Sequence, residues 1–119
     1  MAGEPDANCL FCKIVAGEVP ATVVLETETT VAFRDINPQA PTHVLVIPRA
    51  HYPDAVSLAE GAPLIAADLL ATAGVVAERE KVADTGYRIV LNTGAGAGQT
   101  VFHVHAHVLA GRGLEWPPG

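Results

Sequence analysis

The stretch Gln99-Thr100-Val101-Phe102-His103-Val104-His105-Ala106-His107-Val108-Leu109 constrains this chain more than any other. It places three of the five histidines two residues apart, with Val104, Ala106 and Val108 near or between them. Side chains alternate across a β-strand, so the pattern predicts a strand with two unlike faces. One face carries His103, His105 and His107. The other carries Val104, Ala106 and Val108 and must meet a core. The preceding run Gly94-Ala95-Gly96-Ala97-Gly98 has no charge and little side chain. Imidazoles beside bare backbone N–H groups suit the binding and attack of a phosphate.

Outside that strand, the order of elements reads as an α+β domain. Residues 1–8 are polar, with Gly and Pro, and are expected to form a loose N-terminal tail. The domain then spans 9–119. A short helical turn ends at Gly17, before Pro20. Thr22–Glu26 and Thr30–Arg34 form a hairpin, and Thr42–Ile47 a third strand closed by Pro48. Arg49 to Ser57 is a polar connector, and His51 within it reads as a surface histidine. Ser57-Leu-Ala-Glu60 fits a capping box, although Pro63 delays the long helix, which runs to about Lys81 or Val82. Tyr87–Asn92 and Phe102–Leu109 complete an antiparallel sheet of about five strands.

The long helix is too apolar for an ordinary surface helix. From Leu64 to Ala77 only Asp68 and Thr72 are clearly polar, and they share one face. The expectation is a helix covered on two sides, by the sheet and by a second copy of the chain. The formal charge of −6 over 119 residues argues against nucleic-acid binding. The apolar runs are too short for a membrane span, and the expectation is a soluble, cytoplasmic protein. No cation falls between Arg88 and Arg112, so a phosphate held at the histidine row would rely on histidines, backbone and neutral polar groups.

Three explanations compete for the histidine row. A structural role is weak, because buried imidazoles need partners. Zinc is a second, since His at i and i+2 on one strand can share an ion. Catalysis is the third, because imidazole is largely neutral and nucleophilic at neutral pH. The pair Cys9-Leu10-Phe11-Cys12 points to metal or redox chemistry, and the strand-before, helix-after context of a redox motif is missing.

At this point the residues resemble a family. His103-Val-His-Ala-His-Val-Leu109 is similar to the H-x-H-x-H motif of the histidine triad (HIT) superfamily. Phe11–Pro20, Ala32–His43, Gly98–His103 and the ending Trp116-Pro-Pro-Gly119 resemble its HINT branch, the histidine triad nucleotide-binding proteins. The resemblance implies a HIT-like fold that dimerises into a ten-stranded sheet. It implies a hydrolase of purine nucleoside 5'-phosphoramidates, cutting the P–N bond at the α-phosphate. By motif position His105 is the nucleophile, oriented by a main-chain oxygen of its own strand. His107 holds the phosphate and protonates the leaving group. Gly98, Gln99 and Thr100 match phosphate-contacting positions, where the family often has Ser in place of Thr100. Asn92 matches a contact near phosphate and ribose. Asp35 and Ile36 match the ribose and base site, with Phe11 on the other side of the base. Some members hold a structural zinc through CxxC and two histidines, which implies Cys9, Cys12, His43 and His103 here. Trp116 could anchor the tail near a partner's site. A dinucleoside polyphosphate hydrolase on the same fold, and a zinc-stabilised nucleotide-binding regulatory protein with little turnover, are the alternatives.

Overall fold

A computed structural model describes residues 3–119. Met1 and Ala2, the first two residues of the expected tail, lie outside the described residues. Among the described residues, five strands form a single antiparallel sheet: β1 (Val23–Glu26), β2 (Thr30–Arg34), β3 (Thr42–Pro48), β4 (Arg88–Val90) and β5 (Ala106–Ala110). The spatial order is β1-β2-β3-β5-β4. The β1–β2 hairpin closes over Thr27, whose hydroxyl accepts the amide of Thr30 at 2.9 Å.

The sheet is covered on both faces, and β3 is buried along its whole length. One face presents Ala32, Val44, Val46, Val104, Ala106 and Val108 to the helical layer. That layer is α2 (Ala55–Gly61) followed by α3 (Pro63–Arg79). Asp54 caps α2, accepting the amide of Ser57 at 2.9 Å in a reciprocal capping box. Ser57 is thus the third residue of the helix rather than its cap. Pro63 opens α3 at the position where a missing N–H costs nothing.

α3 packs Leu69, Ala73 and Val76 into the core, turns its polar Asp68 and Thr72 toward the protein as well, and leaves a second apolar stripe facing outward. Thr72 is buried and shares a hydrogen bond with Thr30 at 2.8 Å. Asp68 accepts one from the Thr29 hydroxyl at 2.8 Å. Leu64, Leu70 and Val75 are exposed at 80%, 51% and 40%. Asp68 and Thr72 turn inward because the hydroxyls of the hairpin edge need partners and find them on α3.

The opposite face carries Val31, Phe33, Leu45 and Ile47 under the first helix, α1 (Leu10–Val15). Cys9 caps α1 and accepts the amide of Cys12 on its sulfur. The histidine row lies on this side. The regular strand is Ala106–Ala110 rather than the expected Phe102–Leu109, so His103 and His105 sit on the approach to β5. The expected loose tail is tied down from its third residue. Gly3 exchanges both backbone hydrogen bonds with His51, at 2.9 and 3.2 Å, and Asp6 donates its amide to the Cys12 sulfur.

Candidate functional site

The site is built from the bottom of α1, the end of β2, and the run into β5. His105 is the residue best prepared for chemistry. Its Nδ1 lies 2.9 Å from the carbonyl oxygen of His103. A carbonyl only accepts, so Nδ1 carries the proton and the lone pair is left on Nε2. This is the main-chain orienter expected from the sequence. His105 lines a cavity of about 300 Å³ together with Phe11, Asp35, Ile36, Thr100 and His107. Phe11 meets the His105 ring edge to face, with centroids 5.1 Å apart. His107 is its other neighbour, at 5.0 Å.

His107 owes its orientation to a residue with no catalytic role in the sequence reading. The backbone N–H of Gln39 donates to His43 Nδ1 at 3.0 Å. His43 must therefore carry its proton on Nε2, which lies 2.9 Å from His107 Nδ1. His107 accepts there and carries its own proton on Nε2. The sheet register makes this contact, because Leu45 pairs with His107 and places His43 on the diagonal. Burial, with His105 and His43 as lesser causes, pushes the His107 ring down to about 4. Burial also lowers His43, against the pull of the Asp35 carboxylate 3.5 Å away. Both rings are neutral near pH 7.

His43 is therefore not a partner of the cysteines, contrary to expectation. It pairs with Leu109, six residues along the chain from His103, on the order of 20 Å away if extended. The histidine that joins Cys9, Cys12 and His103 is His51. The antiparallel pairing of β3 with β5 brings the segment just after β3 back beside the segment just before β5. That register was the signal that would have found His51.

The four donor atoms form a compact set. Cys9 Sγ lies 3.4 Å and Cys12 Sγ 3.5 Å from His103 Nδ1. His51 Nδ1 lies 3.4 Å from Cys12 Sγ and 3.2 Å from His103 Nδ1. A tetrahedral zinc with ordinary bond lengths would hold S and N about 3.6 Å apart and N and N about 3.3 Å apart. His103 is fully buried, and its Nε2–H donates to the Pro48 carbonyl at 2.8 Å, which leaves Nδ1 as the free ligand atom. Burial pushes its ring down to about 4, which keeps that lone pair available. The residues present fit a four-coordinate ion.

The glycine-rich loop is closed by hydrogen bonds of its own backbone and of Gln99. The amides of Ala97, Gly98 and Gln99 bond to Gly94, Ala95 and Gly94 carbonyls, so they are not bare. Gly98 takes φ 92°, which favours glycine. Gln99 is only 3% exposed, and its amide bonds the carbonyls of Pro53 and Val101 and the N–H of Gly94. Gln99 shapes the loop from within. Asn92 is half-buried past the end of β4, outside the lining of the cavity, as is Gly98. Thr100 is exposed and does line it. Arg34 also reaches the cavity wall, but its guanidinium is paired with Glu80 at 2.8 and 3.0 Å.

Residues 16–114 match the HIT domain model. The chain belongs to the HIT domain family. Within it, the chain lies on the HINT-like side. A crystal structure of a HIT family hydrolase from Legionella pneumophila superposes with a TM-score of 0.90 at 48% identity, covering 94% of this chain and all of that one. The maize 14 kDa zinc-binding protein is 47% identical over 96% of this chain and 90% of its own length. The Arabidopsis thaliana adenylylsulfatase HINT1 is 44% identical over 96% of this chain and 78% of its own. The HIT fold explains the sheet order, and the H-x-H-x-H motif of this HIT chain is the one whose rings occupy the two clusters described above.

Proposed function

We propose that the protein is a nucleotide hydrolase that cleaves purine nucleoside 5'-phosphoramidates at the α-phosphate, through a nucleotidyl intermediate on His105. The observation that carries this reading is the His105 ring: Nδ1–H held by the His103 carbonyl, with the Nε2 lone pair on a residue lining a nucleotide-sized cavity. The base would lie between Phe11 and Ile36, the ribose hydroxyls would donate to Asp35, and Thr100 would serve the phosphate. Gly98, Gln99 and Asn92 would hold the loop that shapes the phosphate end.

His105 Nε2 attacks phosphorus and forms the N–P bond as the P–N bond to the amine breaks. The departing nitrogen takes the electron pair and a proton from solvent, without which a poor amide anion would leave. His107 is neutral and gives no proton away; its Nε2–H donates a hydrogen bond to the reacting group, and His43, donating to His107 Nδ1, keeps that N–H pointed there. Water then attacks the same phosphorus, the N–P bond returns its pair to His105, and the water's proton goes back to solvent.

Zinc is proposed for the Cys9, Cys12, His51 and His103 set, with a structural role, since four protein ligands leave no position for water. The maize relative is a zinc-binding protein by name, which supports the choice of metal. A homodimer is proposed from the exposed stripe of α3. A second substrate reading is adenylyl sulfate, favoured by the name of the Arabidopsis relative. Turnover of adenosine 5'-phosphoramidate, adenylyl sulfate and a diadenosine polyphosphate, measured side by side, separates these readings. Phosphoramidate is expected to have the highest kcat/KM. Turnover of none of the three, with nucleotide still bound, would replace the enzyme by a nucleotide-binding regulator.

A further inference from the structure

His103 belongs to both halves of the site. Its ring faces Cys9, Cys12 and His51, and its carbonyl oxygen holds the His105 imidazole. The ring cannot turn away, because Nε2–H is anchored on Pro48 and the residue is fully buried. A second connection runs through α1. Cys9 and Cys12 bracket Leu10 and Phe11, and both of these line the cavity of His105. Phe11 touches three rings edge to face: Phe33 at 5.5 Å, His105 at 5.1 Å and His103 at 6.0 Å. A six-residue helix has no independent stability in water. Its position is set by what its side chains hold, and two of those side chains are the cysteines.

We infer that the metal centre and the nucleotide pocket are thermodynamically coupled, with His103 as the positioning residue between them. An ion bound by the four side chains fixes the His103 backbone that orients His105, and fixes the α1 wall that Phe11 presents to the base. A nucleotide that seats against Phe11 and His105 favours the same arrangement. Each ligand therefore raises the affinity of the other by one common factor. The inference rests on the nucleotide reading above and adds a connection to it. Four ligands closed around an ion leave no place for phosphate on the metal, so the coupling has to pass through protein atoms.

The test is made on the metal-loaded protein with AMP as the probe. In one arm cobalt(II) replaces zinc, and AMP is added while the visible ligand-field bands and the heat of binding are recorded together. AMP is expected to bind and to move the bands. In the other arm zinc is transferred to a chromophoric chelator with and without saturating AMP, at a temperature where the metal-free protein keeps its circular dichroism. Zinc affinity is expected to rise at least about fivefold. If the metal-free protein does not stay folded, the cobalt arm decides. Bound AMP with unmoved bands, or with unchanged zinc affinity, overturns the coupling and leaves the nucleotide reading standing. Absence of AMP binding overturns both, and absence of thiolate-bound cobalt overturns the metal centre on which the coupling depends.

Discussion

Each histidine of this chain has a distinct task, set by what its two ring nitrogens meet. His105 donates to a carbonyl and keeps a lone pair for attack, so His105→Asn should abolish hydrolysis while AMP affinity stays within a few fold by calorimetry. His43 takes the Gln39 amide on Nδ1 and sets the His107 tautomer through Nε2. Replacing it with Ala frees the His107 tautomer, and kcat should fall by about 10²-fold, the scale of one lost oriented hydrogen-bond donor, with AMP affinity little changed; single-turnover rates read this directly. His107 also governs an acid limit. Its folded pKa is about 4 and its unfolded value is near ~6.5, so the unfolded chain takes up the proton first as pH falls. Its contribution to stability is complete above the unfolded value and is lost progressively from about pH 6.5 down to about pH 4. Urea unfolding of the His107→Gln protein should show a flatter pH dependence across that window than the parent. Gln99 belongs with the loop. Its buried side-chain amide serves three part-buried backbone groups, and Gln99→Ala should cost about 1–3 kcal/mol of stability by denaturant titration.

Among the elements, α3 departs furthest from the usual amphipathic plan. Its polar residues are satisfied by the β1–β2 hairpin, so its outward stripe is apolar by default. Such a stripe invites self-association. Sedimentation is expected to find a dimer, and Leu70→Glu with Val75→Glu is expected to shift it to monomer without unfolding; a parent that sediments as a monomer would remove the proposal. The same helix shows what periodicity conveys. It located an element of the right length and an unusual surface, but not the direction in which Asp68 and Thr72 point. That direction came from Thr29 and Thr30, in an element 40 residues away that happens to need hydroxyl partners.

The whole molecule is one sheet whose two faces do different work, and among the described residues no helix is long and apolar enough to cross a membrane. The α3 face is closed hydrophobic packing. The α1 face holds the two histidine clusters side by side, joined at His103. What the amino-acid order determined by itself was local: the alternation that makes Ala106–Ala110 a strand, the turn residues that close the hairpin, and the nearby main-chain oxygen that orients His105. These depend on residues a few positions apart, where spacing and chirality leave few choices. The exchange of His43 for His51, the engagement of Gln99 inside its loop, and the anchoring of Gly3 on His51 were decided only by the tertiary structure. The first depends on which residue of β3 lies opposite which residue of β5, and a shift of that register would separate His51 from His103 while leaving the local pattern intact; the other two depend on groups, the Pro53 carbonyl and the His51 backbone, that lie 46 and 48 residues away in the chain.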